Sequence, residues 1–230
     1  MTLCASSHSA ERARCAADRK LLESFLLMDA QPQPREVCVD LGACPGGWTA
    51  ALRRQCGASV TAVDRQPLAP ALMADESVNF VQGDAFSFEP GSGGADWMVS
   101  DGKRGPRFKR SERPAGARGP PGSPSPVHGL TLTASCSLLP RRLPRVRDAV
   151  AAYPERCVEL VEAWCRHRWA RQMVVTMKFT GVDPDFEAIE AGRVAAERHG
   201  YLFRAMHHFS NKNEVTLMLR SSQHGGPSGP

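Results

Sequence analysis

The 230-residue chain has no apolar run near the ~18 residues that a membrane-spanning helix needs, and no membrane association is expected. Its first twenty residues hold four basic and two acidic side chains among serines and alanines, without the apolar core of a secretory signal. The expectation is an intracellular, cytoplasmic protein, with the basic start a faint sign of organelle targeting. Eight cysteines (Cys4, Cys15, Cys38, Cys44, Cys56, Cys136, Cys157 and Cys165) form no C-x-x-C pair and no Cys/His cluster at zinc spacing. Reduced, mostly structural thiols and no metal are expected. Acids are nearly missing from one segment: between Lys103 and Arg147, Glu112 stands alone against eleven lysines and arginines. That segment carries +10, leaving −5 for the rest of a chain whose formal charge is +5. The basic character sits in one piece.

The 42% hydrophobic content allows a proper core, and the length suits one domain. Residues 1–17 are small and polar and form a flexible start. From Asp18, Leu21/Leu22 and Phe25/Leu26 recur at helical spacing, and Gln31-Pro-Gln-Pro ends that helix. Val37 to Leu41 then reads as a strand, followed by a turn built on Gly42, Gly46 and Gly47 and a helix from Trp48 that stops at Gly57. Strands are expected at Ala58–Asp64, Val78–Gln82 and Ala95–Ser100, with a short helix over Leu68–Met73. Gly102 to about Pro144 holds eight prolines and six glycines, and residues 103–147 are expected to be a disordered insert. A helix over Glu155–Arg171, a buried strand over Met173–Phe179, and a helix with Pro184 at its first position follow. Strands at Leu202–Phe209 and Glu214–Leu219, joined by Ser210-Asn-Lys-Asn, form a hairpin. The tail from Ser221 is Gly/Pro/Ser-rich and flexible, so the folded domain spans 18–220. Strand–helix alternation closed by a reversed hairpin predicts an α/β doubly wound, mostly parallel sheet.

The turn from Gly42 reads G-A-C-P-G-G, which lacks the second glycine of the dinucleotide fingerprint G-x-G-x-x-G and so provides less well for a pyrophosphate. Asp64 ends the second strand 22 residues after Gly42, placed to accept hydrogen bonds from a ribose diol. Asp84, after the third strand, is placed for a purine amino group. Asp40, Asp64 and Asp84 at successive strand ends, with one glycine loop, suit a cationic adenosine ligand without phosphates. S-adenosyl-L-methionine is such a ligand. Lys178 falls in an otherwise apolar strand, where an unpaired lysine is rare. Glu214, opening the last strand, is a similar charge out of place.

These residues carry a resemblance. Asp40-Leu-Gly-Ala-Cys-Pro-Gly-Gly-Trp48, with an ordered Lys, Asp, Lys, Glu set, resembles the FtsJ/RrmJ-type ribose 2′-O-methyltransferases of ribosomal RNA, and among them the RlmM-like branch. Lys20-Leu-Leu-Glu-Ser-Phe25 matches the segment opened by the family's first catalytic lysine. Asp101 after Trp97-Met-Val-Ser, Lys178 at the end of its strand, and Glu214 before Val-Thr216 match the other three positions. The resemblance implies a Rossmann-like class I methyltransferase fold that uses S-adenosyl-L-methionine, held by Asp40, Gly42, Ala43, Cys44, Pro45, Gly46, Gly47, Trp48, Asp64, Asp84 and Asp101. It implies methylation of a ribose 2′-hydroxyl in RNA, with Lys178 as general base, Lys20 and Asp101 tuning it and Glu214 orienting it. The partner expected is ribosomal RNA, and the protein is taken to be a monomer.

Other classes fit less well. Methylation of base amino groups usually relies on an N/D-P-P-Y/F loop after the fourth strand, where this chain has Ser100-Asp101-Gly102-Lys103. A nicotinamide oxidoreductase is disfavoured by the glycine pattern. A protein of the same fold that only binds RNA or cofactor, its site impaired by the insert after Asp101, is the alternative from a different class. The insert itself reads either as a basic arm for RNA phosphates or as a neutral expansion.

Overall fold

The computed structural model describes residues 19–101, 153–179, 184–209 and 213–222. The basic insert and the two termini named above lie outside the described residues, apart from residues 221 and 222. Seven strands form one sheet: β1 (Val37–Leu41), β2 (Ser59–Asp64), β3 (Val78–Gln82), β4 (Ala95–Ser100), β5 (Ala170–Lys178), β6 (Tyr201–Met206) and β7 (Glu214–Ser221). Their spatial order is β3-β2-β1-β4-β5-β7-β6. Strands β1 to β5 pair in parallel, and β7 runs antiparallel to both β5 and β6. The expected mostly parallel sheet with a reversed C-terminal hairpin is what the chain forms.

Helices cover both faces: α1 (residues 19–28), α2 (Gly47–Ala51, continued by a π-helical turn over Leu52–Cys56), α3 (Pro70–Met73), α4 (Tyr153–His167) and α5 (Phe186–Arg198). Strands buried on two sides are mostly apolar, as in the run from Met173 to Met177 with Thr176 as its polar member. Alternate residues feed opposite cores, because strand side chains alternate faces. Met98, Met173 and Val175 join Trp164, Val161 and Tyr201 under α4 and α5. Trp97, Val99 and Val174 join Leu21, Phe25, Trp48 and Leu52 under α1 and α2. The Phe25 ring meets Trp97 edge-on at 5.2 Å, an aromatic geometry that fastens α1 to β4.

Several boundaries differ from the sequence reading, among them β5, which opens at Ala170 rather than Met173, and β7, which runs on to Ser221. The helix expected to reach Arg171 stops at His167, because Arg168 takes a positive φ of 54° and Trp169 turns back to stack on His167 at 4.6 Å. Pro184 does not open α5. Asp185 caps it instead, its carboxylate accepting the Ala188 N–H at 2.9 Å, so Pro184 lies one residue outside. The strand expected to run to Phe209 ends at Met206, and His208 turns into the interior. Among the described residues no helix is long and apolar enough to cross a membrane.

Topology places the chemistry. The carboxyl ends of parallel strands share one edge, so Leu41, Asp64, Gln82, Ser100 and Lys178 finish side by side. Because β7 is reversed, its first residue reaches that same edge, where Glu214 pairs directly with Lys178.

Candidate active site

The glycine turn sits at the centre of this edge. Gly42 and Gly46 have φ of 74° and 105°, the left-handed region that costs side-chain-bearing residues strain. The Gly42 and Ala43 N–H groups donate to the Val63 carbonyl at 2.8 and 3.1 Å, locking the turn to β2. A Cβ on Gly46 would lie 2.2 Å from Leu72 Cδ1, whereas one on Gly42 would meet nothing within 4 Å. At Gly46 the left-handed backbone is the firm constraint, with the Leu72 tip having to shift for any side chain, and Gly42 faces open space. The Cys44–Pro45 peptide bond is cis.

Acids hold the turn from behind and from the side. Asp40 is buried, and its carboxylate accepts the Thr49 hydroxyl of α2 at 2.6 Å, tying β1 to the helix that follows the turn. Asp64 accepts the Cys44 N–H and the Gln66 N–H, both at 2.9 Å, through different oxygens. Asp84 lies after β3 with Arg65 at 3.3 Å. Ala43 and Trp48 are packed into the core beneath the turn, so above it they offer backbone rather than side chain. Pro45 is exposed, while Cys44 and Gly47 are half-buried.

Next to the turn, four residues from four distant parts of the chain converge. Lys20, in the first described turn of α1, places Nζ 3.2 Å from Asp101 Oδ1 and in hydrogen-bond contact with Glu214 Oε1. Lys178 Nζ lies 3.6 Å from Glu214 Oε2 and 3.9 Å from Asp101 Oδ1. Both lysines thus face both carboxylates. Burial disfavours the Lys20 ammonium, but Asp101 and Glu214 outweigh it and hold the pKa above the ordinary lysine value. Lys20 is a fixed cation at neutral pH. Lys178 is the more loosely paired of the two.

The fit to an adenosine-bearing sulfonium rests on this chain's own geometry. Gly42 leaves room for close backbone approach, Asp64 stands at the end of β2 beside it, and Asp101 borders the lysine cluster. The expected thiols also take their places. Cys38, Cys56, Cys157 and Cys165 are buried and free, and burial pushes Cys157 and Cys165 up to about 12. An open groove of about 620 Å³ between α4 and α5, lined by residues such as Val158, Phe186 and Val194, holds none of these site residues.

Two buried groups beside the cluster were not singled out from the sequence. Ser24 and His208 are both fully buried and 2.9 Å apart, with Ser24 also bonded to the Lys20 carbonyl. A serine in an amphipathic helix and the second of two histidines just past a strand end give no signal until the fold brings them together.

The sheet order, the reversed seventh strand and the glycine turn at the carboxyl edge define a Rossmann-like class I methyltransferase fold. The same fold is seen in magnesium protoporphyrin IX methyltransferase from Synechocystis, solved with bound S-adenosylmethionine, at a TM-score of 0.50 and 12% identity over 92% of this chain and 81% of that one. The chain belongs to the FtsJ-like methyltransferase family, whose model matches residues 12–183. It is 28% identical over 190 residues to the ribosomal RNA large subunit methyltransferase M of Halorhodospira halophila, covering 83% of this chain and 41% of that protein. To the protein of the same name from Shewanella frigidimarina it is 27% identical over 227 residues, covering 90% and 49%. The chain therefore spans less than half the length of these relatives.

Proposed function

We propose that this chain transfers a methyl group from S-adenosyl-L-methionine to a ribose 2′-hydroxyl of ribosomal RNA. The observation that carries the reading is the convergence of Lys20, Asp101, Lys178 and Glu214 at the sheet edge beside the glycine turn. The relatives named above are ribosomal RNA methyltransferases, which supports RNA as the acceptor.

When bound, S-adenosyl-L-methionine supplies an electrophilic methyl on a sulfonium. Gly42 to Gly47 and Asp64 hold the adenosine part, and Asp84 takes its base side. A ribose hydroxyl is a weak nucleophile and needs a base as it attacks. Lys178 takes that proton at Nζ. It is suited to this because the stronger ion pairs go to Lys20, which stands 3.2 Å from Asp101 and closer to Glu214. Lys20 stays an ammonium and balances the charge of the carboxylates that both amines face. Asp101 and Glu214 orient both amines toward one acceptor position, and such positioning contributes much of the acceleration.

The test uses S-adenosylmethionine carrying a labelled methyl group and ribosomal RNA as acceptor. Label recovered in alkali-resistant dinucleotides is the expected result, since a methylated 2′-oxygen cannot attack its neighbouring phosphate. Label found only in mononucleotides would place the methyl on a base and reject the ribose assignment.

A further inference from the structure

The best-defined polar contacts outside the four-residue cluster lie directly behind Lys20. Lys20 sits in the first described turn of α1. Here the Ser24 hydroxyl donates to the Lys20 carbonyl at 2.8 Å and also contacts His208 Nε2 at 2.9 Å. A hydroxyl has one proton. With that proton on the Lys20 carbonyl, Nε2 must carry its own hydrogen and donate to Ser24 Oγ. His208 Nδ1 is then the bare nitrogen. It stands 3.3 Å from Glu23 Oε1.

The charges around the ring agree with a neutral imidazole. Burial, Lys20 and His207 all lower its pKa, and Glu23 alone opposes them without reversing the direction. A neutral ring adds no second positive charge near the Lys20 ammonium. His208 also occupies a telling place in the chain, in the connection from β6, six residues ahead of Glu214. The link therefore joins the segment bearing Lys20 to the segment bearing Glu214. Further along α1, Arg204 of β6 donates to the Leu27 carbonyl at 2.7 Å, a second tie between the described helix and the β6 segment.

We propose that His208 is a positioning residue: acting through Ser24, it holds α1 so that the Lys20 ammonium stays seated between Asp101 and Glu214. This rests on the methyl-transfer reading for its catalytic consequence, though not for its structural one. Neither residue needs to touch substrate.

The experiment compares the wild-type protein with Ser24→Ala, His208→Leu and His208→Gln. Lysine side chains are ¹³Cε-labelled, and the Lys20 signal is assigned by its loss in Lys20→Arg. In the wild type Lys20 should titrate above 10.5. In Ser24→Ala and His208→Leu it should move down toward that value, and His208→Gln, which keeps a donor toward Ser24, should restore it. Methyl transfer should fall about tenfold in kcat in the first two, with KM for S-adenosylmethionine unchanged, as expected of lost alignment. An identical Lys20 titration in Ser24→Ala and wild type would overturn the proposal, even if His208→Leu fails to fold. Unchanged kcat in a folded Ser24→Ala protein would overturn it as well. A wild-type protein that methylates no RNA would defeat the proposed function and leave the Lys20 titration to decide this one.

Discussion

Lys178 and Glu214 face each other across one rung of the β5–β7 ladder, and Lys20 arrives from a helix 194 residues away in sequence from Glu214. Nothing in the local sequence of any one of them announces the other three. Their grouping was expected because all four matched a known pattern in order, with the glycine motif as anchor, and because Lys178 and Glu214 stood out as charges in apolar strands. Asp64 was readable from its spacing, while the Thr49 partner of Asp40 and the Ser24–His208 contact required the fold. Gly46 gives a sharp test at this scale. Its φ of 105° and the 2.2 Å approach to Leu72 mean that Gly46→Ala should lose about 1–3 kcal/mol in urea unfolding. Gly42→Ala meets strain but no neighbour, so its larger effect should appear as weaker S-adenosylmethionine binding in calorimetry.

At the scale of elements, strand positions were readable because buried parallel strands are short, apolar and bounded by acids or glycines. Helix ends were less so. The α4 terminus depends on Arg168 adopting a left-handed conformation that its residue type does not advertise. Pro184 looked like a first helical residue, yet Asp185 next to it offers a carboxylate to the Ala188 N–H and takes the capping position. Replacing Asp185 with alanine should cost about 1 kcal/mol. In a protein of this size that corresponds to a fall in Tm of about 2–4 °C in calorimetry, without loss of methyl transfer. Phe25→Ala removes the ring that packs on Trp97 and should cost about 3–5 kcal/mol while loosening the helix that carries Lys20. Activity should therefore fall in that variant even at temperatures where the protein remains folded.

For the molecule as a whole, two buried groups set opposite pH limits. His208 has a folded-state pKa below its ordinary 6.5, so the unfolded chain takes up the proton first as the pH falls. Stability is full above about 6.5 and declines below it, and the urea midpoint of His208→Gln should change less over that window. Lys20 has a raised pKa, so its contribution is full below 10.5 and is lost as the pH climbs beyond. The sheet brings the glycine turn and the cluster of two lysines and two carboxylates to one edge. The most direct measurement is the single-turnover rate of methyl transfer to ribosomal RNA by wild type and Lys178→Ala, each first shown to be folded and to bind S-adenosylmethionine equally. If Lys178 is the base, the variant should lose roughly 10²–10⁴-fold. Transfer by Lys178→Ala at the wild-type rate would contradict that role.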